Sequence, residues 1–289
     1  MLLLDLSSII IPEIIIMTGG KEKEKLTEDL VRRVVLSQIL TYKNKYNEYG
    51  SVVICSDSRH YWRKDLFKQY KENRKKLRKE SHLNWTEFYI LFNRIKEELK
   101  TIRGFKLIEI EKLEADDIIA ILSKRYAQFE KVMIVSTDKD LLQLQMNTTN
   151  IEQFSPKLKK KITIDNKKYF LIEHIIRGDS GDGIPNILSD DDVFLDASKR
   201  QKSITTAFIN EAKTMGEDKL LDTINESVSA KYIRNKKLID LTCIPREYAK
   251  QIVEAYEEAN KPSRNKVSLF DYAIKYKLRK IISQLGAIK

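Results

Sequence analysis

Short apolar runs alternate, over the first half of the chain, with longer stretches whose apolar residues recur every three or four positions. Residues 2–6, 51–55, 106–110 and 132–136 read as strands, and their continuous apolar character predicts burial on both faces. A helix is predicted over 27–46, with Thr27 as its N-cap and Glu28 and Asp29 in its first turn. A second spans 85–100, where Phe88, Leu91, Phe92, Ile95 and Leu99 form an apolar stripe, and a third spans 114–129. Beyond about residue 170 the pattern turns helical, over 171–177, 203–215, 233–241, 246–259 and 269–285. This alternation predicts an α/β domain over 1–170, a mostly parallel sheet flanked by helices, followed by a C-terminal helical domain over 171–289. No internal repeat interrupts it.

Composition sharpens this picture in one direction. Of 289 residues, 53 are Lys or Arg and 42 are Asp or Glu, a formal charge of +11. That excess favours a polyanionic partner, either nucleic acid or an anionic membrane surface. No apolar run reaches the roughly 20 residues of a membrane helix. Residues 2–16 are rich in Leu and Ile, yet no Lys or Arg precedes them and Asp5, Pro12 and Glu13 interrupt them, unlike a signal peptide. Cys55 and Cys243 are far apart, and no Cys/His group has zinc spacing. The expectation is a soluble, cytoplasmic, monomeric protein with no membrane association.

The acids fall at particular places. Asp5 ends the first strand, Asp57 follows the second, and Asp138 and Asp140 follow the fourth. Open parallel sheets form their sites outside the carboxyl ends of the strands. Glu114, Asp116 and Asp117 open a helix on the same side, with 114 and 117 on one helix face, and Asp179 and Asp182 repeat that i, i+3 spacing. Each acid alone could be a cap, a turn residue or a helix start. Their coincidence at one sheet edge points instead to a shared site. Several ionised carboxylates need compensation, which a divalent cation supplies. Magnesium takes hard oxygen ligands, and two ions about 3.5–4 Å apart can clamp a phosphodiester. Asp190, Asp191 and Asp192 lack such placement and read as a solvated loop.

A basic stretch follows Asp57 directly. Residues 59–80 hold ten Lys or Arg against three acids, with Tyr61, Trp62, Phe67 and Tyr70 interleaved. Cations for phosphates with aromatics for bases suit single-strand binding. The alternative is a solvated helix face with core aromatics. A smaller run, Lys157, Lys159, Lys160 and Lys161, reads as a solvated hairpin.

At these motifs the sequence resembles the flap endonuclease and 5′-nuclease family, and within it the ribonuclease H group of T-even phages. The similar stretches are LLLDLS, SDSRHYWRKDLFKQYKENR, LEADDIIA, STDKDLLQL and RGDSGDGIP, from residue 2 to 185, with NKPSRNKVSLFDYAIK near the C-terminus. The resemblance implies a PIN-like core and two Mg²⁺ sites, where Mn²⁺ can substitute. Asp5, Asp57, Glu114, Asp116, Asp117, Asp138, Asp140, Asp179 and Asp182 match its metal-site acids. It implies a helical arch over about 59–84 that admits a 5′ single strand. There Lys71 and Arg74 match residues that meet the reacting phosphate, Tyr70 one that stacks on a base, and Arg63, Lys75 and Lys76 are the remaining expected nucleic-acid contacts.

The implied activity is 5′-to-3′ exonuclease and flap endonuclease cleavage of branched or nicked DNA and RNA–DNA hybrid, with removal of RNA primers during replication. A sliding clamp or a single-strand-binding protein is a possible partner of the tail at 269–285, although a packed core helix is the plainer expectation there. The sequence departs from many relatives after GDSGDGIP. It lacks their second glycine-rich turn, which in those relatives grips duplex through a potassium ion, so that feature stays open while the nuclease motifs carry over. Two other readings stand beside this one. A PIN-type ribonuclease shares the sheet and acids but usually lacks the arch and the helical tail. A non-catalytic nucleic-acid-binding module leaves nine clustered acids unexplained.

Overall fold

The computed structural model describes residues 1–19, 24–164, 169–261 and 265–286. Segment 165–168, just before the expected domain boundary, lies outside the described residues, as do 262–264 of the NKPSRNKVSLFDYAIK stretch. The elements in chain order begin with β1 (Leu2–Asp5), α1 (Leu6–Gly19), α2 (Glu28–Lys45) and β2 (Val52–Cys55). They continue with α3 (Trp62–Leu66), α4 (Asn73–Glu80), α5 (Trp85–Lys100), β3 (Lys106–Ile108), α6 (Ala115–Tyr126) and β4 (Val132–Val135). Next come β5 (Ile151–Ser155), β6 (Lys160–Ile162), α7 (Phe170–Arg177), α8 (Thr206–Met215) and α9 (Glu217–Thr223). The chain closes with α10 (Glu226–Ile239), α11 (Arg246–Asn260), α12 (Leu269–Lys275) and α13 (Arg279–Gly286).

The six strands form one sheet in the order β3-β2-β1-β4-β5-β6. All neighbours are parallel except β5 and β6, which form an antiparallel hairpin. The chain builds β1, β2 and β3 outward in one direction, then returns to place β4 on the other side of β1. The strand order therefore reverses between β1 and β4, and a crevice opens at their carboxyl ends. Asp5 and Asp138 sit at the two lips of that crevice.

Alternation along the strands sorts their side chains to two cores. Leu2 and Leu4 face α1, α2 and α5, whereas Met1, Leu3, Val53 and Cys55 face α6 and α11. A third core joins Phe67 and Tyr70, from the basic stretch, to Ile175, Ile176, Ile184, Ile209 and Tyr232 of the C-terminal helices. Helices from beyond residue 170 thus also complete both faces of the sheet: Ile252 and Tyr256 of α11 on one, Tyr272 and Ile281 of α12 and α13 on the other.

The strand and helix expectations for the first half hold in outline, and α5 spans Trp85–Lys100 as expected. Thr27 caps α2, its hydroxyl accepting the Leu30 N–H at 3.2 Å. Helix α1 was not foreseen. Its isoleucines and internal Pro12 disfavour a helix locally, but Leu6, Ile9, Ile10 and Ile14 all bury on one sheet face, and that packing decides the matter. The single helix expected over 269–285 is two, because Lys277 adopts a left-handed φ of 53° between α12 and α13. The basic run at 157–161 is exposed on the β5–β6 hairpin.

One glycine fixes how the C-terminal half meets the crevice. Gly178 ends α7 at φ 67°, and a Cβ there would stand 2.3 Å from the Ile184 carbonyl oxygen. Backbone pairing of Asp179 with Ile184, at 2.9 and 2.7 Å, closes the loop behind it. Gly178→Ala is therefore expected to destabilise the protein by about 2–3 kcal/mol, the upper part of the range for such backbone strain. Urea unfolding checks this, and a loss below half a kcal/mol would show that the loop relaxes freely.

Candidate active site

Each functional acid owes its place to a strand end or a helix start. Asp5, 6% exposed, accepts the Ser8 N–H at 3.1 Å with Oδ1 and the Ser136 hydroxyl at 2.7 Å with Oδ2. Asp57 uses Oδ1 to accept the Ala115 N–H at 3.0 Å, which ties the β2 end to the start of α6. Asp138 accepts the Asp140 N–H at 2.8 Å, and Asp179 accepts the Asp182 N–H at 3.0 Å. Asp116 projects from the first turn of α6 towards Asp138 and Asp5.

The cost of this gathering is visible in the ionisation of the acids. Burial, and then the charge of Asp57, push the Asp5 carboxyl up to about 7 against the two hydrogen bonds it accepts. Burial, Asp138 and Asp5 raise Asp116 well above the ordinary carboxylate range. Asp138 rises through burial and Asp182, and Asp140 through burial and Asp138. Buried like charges of this kind fit a hard divalent cation with oxygen ligands. Among the described residues, Asp140, His174 and Asp179 also bring one ligand atom each within 4.8 Å of one another. His174 Nε2 lies 3.4 Å from Asp140 and 3.6 Å from Asp179. Burial alone would lower the His174 pKa, but these two carboxylates raise it, and Asp179 is lowered in return.

Two of the expected ligands are turned to another task. Asp117 is fully buried; Oδ1 accepts Arg63 at 2.8 Å, and Oδ2 accepts Arg63 at 3.0 Å, Trp62 at 3.2 Å and the Glu114 N–H at 3.0 Å. Glu114, 1% exposed, accepts from Arg63 at 2.9 Å, from Tyr70 at 3.0 Å and from Lys71. Glu114 and Asp117 form a reciprocal capping box at the start of α6, so their shared face serves the helix rather than a cation. This corrects the expectation that both bind metal: their oxygens already accept from Arg63, Trp62, Tyr70, Lys71 and the backbone. Arg63 also leaves its expected role. It is 3% exposed, donates to the Leu238 carbonyl at 2.9 Å as well, and offers nothing to nucleic acid. Tyr70, 2% exposed, donates to Glu114 and to Asp182 at 2.9 Å and has no open face for a base.

The remaining basic residues border the crevice. Lys71 adopts φ 58°, donates its N–H to the Asp182 carbonyl at 2.7 Å, and sets its ammonium between Glu114 and Asp182. Arg74 pairs with Asp182 and donates from Nε to the Gly181 carbonyl at 3.2 Å. Lys75 and Lys76 stand outward on α4, which buries none of its side chains. Asp190, Asp191 and Asp192 lie apart from the crevice, paired with Lys199 and Arg234. Among the described residues, His174 stands beside the candidate acids without having been a sequence candidate. Its signal was a single imidazole on the last turn of an otherwise apolar helix, directly before the RGDSGD motif.

Comparison with known proteins identifies the family. Residues 3–173 match the family model described as the 5′-3′ exonuclease N-terminal resolvase-like domain, and 167–287 match the T4 RNase H C-terminal domain. The chain belongs to the 5′-3′ exonuclease family. It is a nuclease, a hydrolase, of that family. Ribonuclease H of Enterobacteria phage T4 is 31% identical over 274 residues, covering 92% of this chain and 88% of the relative. A 5′-3′ exonuclease of Buchnera aphidicola subsp. Schizaphis graminum is 33% identical over 162 residues, 53% of each chain. In fold, the chain resembles the T5 5′-exonuclease solved with zinc bound, at TM-score 0.67 and 17% identity, over 90% of this chain and 99% of that one. It also resembles the bacteriophage T5 flap endonuclease solved with DNA and metal ions, at TM-score 0.65 and 17% identity, over 89% and 98%.

The raised acids set the pH dependence of the metal-free protein. Stability held by a carboxyl whose folded pKa is raised is present at low pH and is lost as pH rises through the folded value. For Asp5 that window runs from the ordinary carboxylate range to about 7. The metal-free chain should therefore melt at a lower temperature at pH 8 than at pH 5. Asp116→Asn removes one of the repelling charges and should raise the pH 8 melting temperature by several degrees, on the scale of about 2–4 °C per kcal/mol. Calorimetry in a chelator checks this, and a variant that melts at or below the parent would contradict the repulsion.

Proposed function

We propose that this chain is a magnesium-dependent 5′-nuclease, with 5′-to-3′ exonuclease and flap endonuclease activity, that hydrolyses phosphodiesters in DNA and RNA–DNA duplexes. In this reading it acts on branched or nicked substrates in the cytoplasm of a host cell and removes RNA primers during replication. One observation carries the proposal: a crevice at the strand-order reversal gathers Asp5, Asp57, Asp116 and Asp138, burial and neighbouring carboxylates raise the pKa of Asp5, Asp116 and Asp138, and Lys71 and Arg74 border it.

Magnesium, when bound, would neutralise the acids, polarise a phosphate and lower the pKa of a bound water. Asp5, Asp57, Asp116 and Asp138 would hold one ion; Asp140 and Asp179, with Asp138 adjacent, would hold another, and Asp182, paired with Lys71 and Arg74, would stand behind it. The Ser8 and Ser136 bonds fix the Asp5 carboxylate, and the Ala115 N–H fixes that of Asp57, so both are oriented before substrate arrives. Lys71 and Arg74 place positive charge beside the same crevice, where negative charge develops on the cleaved phosphate. Lys75 and Lys76, further out on α4, hold the approaching backbone. The buried base of the segment, through Phe67 and Tyr70, anchors that cationic face to the C-terminal helices. This anchorage favours the 5′-nuclease over a PIN-type ribonuclease without such a segment, and the acids favour it over a binding module.

Cleavage of a 5′-labelled flap, a nicked duplex and an RNA–DNA hybrid, with and without magnesium, tests the proposal. Cutting should require the metal on all three, and metal-independent cutting would overturn it. Lys71→Met should lower kcat about 10²-fold or more, as for other electrostatic catalytic groups. Lys75→Ala with Lys76→Ala should instead weaken binding at every sequence and flatten its salt dependence by roughly one slope unit per lost phosphate contact. Single-turnover rates and binding titrations at several salt concentrations separate the two. A Lys71→Met variant with the salt signature of the double variant and an unchanged rate at saturation would remove Lys71 from the chemistry.

A further inference from the structure

The position next to the main acid group is chemically different from it. Asp140 begins the turn after β4, Asp179 begins the loop after α7, and His174 stands on the last turn of α7. All three are partly buried, and their ligand atoms converge from two separate places in the chain, the turn after β4 and the end of α7 with its following loop. The imidazole is aimed rather than free. Its ring meets Phe170 edge-on at 5.8 Å, and the Gly178 N–H donates to the His174 carbonyl at 2.9 Å, which fixes the helix end beneath it. The Nε2 separations of 3.4 and 3.6 Å exceed the normal hydrogen-bond length. They come close to the spacing of neighbouring ligands around one divalent ion, roughly 3 Å for an octahedral shell with bonds near 2.1 Å. His174 also lines a cavity of about 680 Å³ with Thr137, Lys139 and Gly178, so the imidazole borders open space as well as the two carboxylates.

We propose that His174 Nε2 is a ligand of the divalent cation held by Asp140 and Asp179, and that this nitrogen biases the position towards manganese over magnesium. The inference rests on the metal-dependent reading above. Carboxylate and water suit magnesium and manganese alike, but imidazole adds a softer donor that magnesium, reluctant to shed water, uses poorly. Asp5, Asp57, Asp116 and Asp138 provide only oxygen. The two positions should therefore differ in selectivity, with mixed occupation when both ions are present.

Electron paramagnetic resonance of the apoprotein titrated with Mn²⁺ tests this without any substrate. Pulsed spectra of the loaded wild-type protein should show ¹⁴N coupling to one class of bound Mn²⁺. In His174→Gln that coupling should vanish, and affinity at this position should fall about tenfold, the low end for loss of a group supporting a metal site. Mg²⁺ should displace the nitrogen-coupled ion less readily than the other, and the difference should close in the variant. Bound Mn²⁺ without nitrogen coupling in the wild type overturns the inference while leaving the metal reading intact. So does a His174→Gln protein that binds Mn²⁺ as tightly or more tightly, since the ring would then be only a competing cation. A chain that binds no Mn²⁺ overturns both. The wild-type spectrum decides the matter even if the variant folds poorly.

Discussion

Mutual repulsion among buried carboxylates is the constraint on which the rest of this molecule is built. Left in water, such acids would separate; here the backbone holds them together. Parallel strands deliver Asp5, Asp57 and Asp138 to one sheet edge, and the hydrogen bonds each accepts stop it from turning away. A scaffold that holds like charges this close must be rigid elsewhere. The two apolar cores on the sheet faces supply that rigidity, and helices from the C-terminal half complete both. The instability is local and functional in kind: it is what gives a cation a reason to bind.

The buried ion network around Arg63 serves the same constraint from behind. Asp117 and Glu114 clamp one guanidinium, which also reaches the Leu238 carbonyl on α10. Removing any one member would leave an uncompensated charge in the interior, so the group behaves as a unit. It fixes the first turn of α6 and hence the direction of Asp116. Through Tyr70 and Lys71 it also touches Asp182, which links the strand-end acids to the loop after α7. Acids that look equivalent in sequence therefore do opposite things: Asp116 faces the crevice, and its neighbour Asp117 holds the helix that carries it.

That division explains what was legible in the sequence and what was not. Strand ends were readable because continuous apolar runs stop sharply at acids, and a mostly parallel sheet follows from alternation with helices; β5 was not readable, because no long helical stretch separates it from β4. Helix α1 was not readable, since its local preference argues against a helix and only burial on the sheet reverses it. The break at Lys277 was equally silent, because a lysine in a left-handed turn carries no signal of its own. At the sheet edge, residue type and spacing placed the acids near the strand ends but could not say which way each one faces. Positions 114 and 117 share a helix face, as their spacing requires, yet that face meets Arg63. The cations misled for the same reason: Arg63 and Lys76 lie thirteen residues apart in one basic run, but one is interior and the other is on the surface. His174 was invisible because a lone histidine has no spacing to read, and only the fold brings Asp140, from the turn after β4, up to it.

Charge of both signs is needed for the arrangement to work. The chain carries +11 overall, so a polyanion is drawn towards it. The crevice itself would repel that polyanion as long as its acids are uncompensated. The basic face on α4 is not spread at random but begins at the crevice, with Arg74 paired to Asp182 and the next two residues, Lys75 and Lys76, exposed on the outside of the same turn. In the proposed reading, cations beside the acids would let a phosphate backbone be held before it meets the centre, and Lys71 and Arg74, now paired with Glu114 and Asp182, would be shared between those carboxylates and the phosphate. An acidic centre without that approach would bind metal but not substrate. A basic face without the acids would bind substrate and have no means of cutting it.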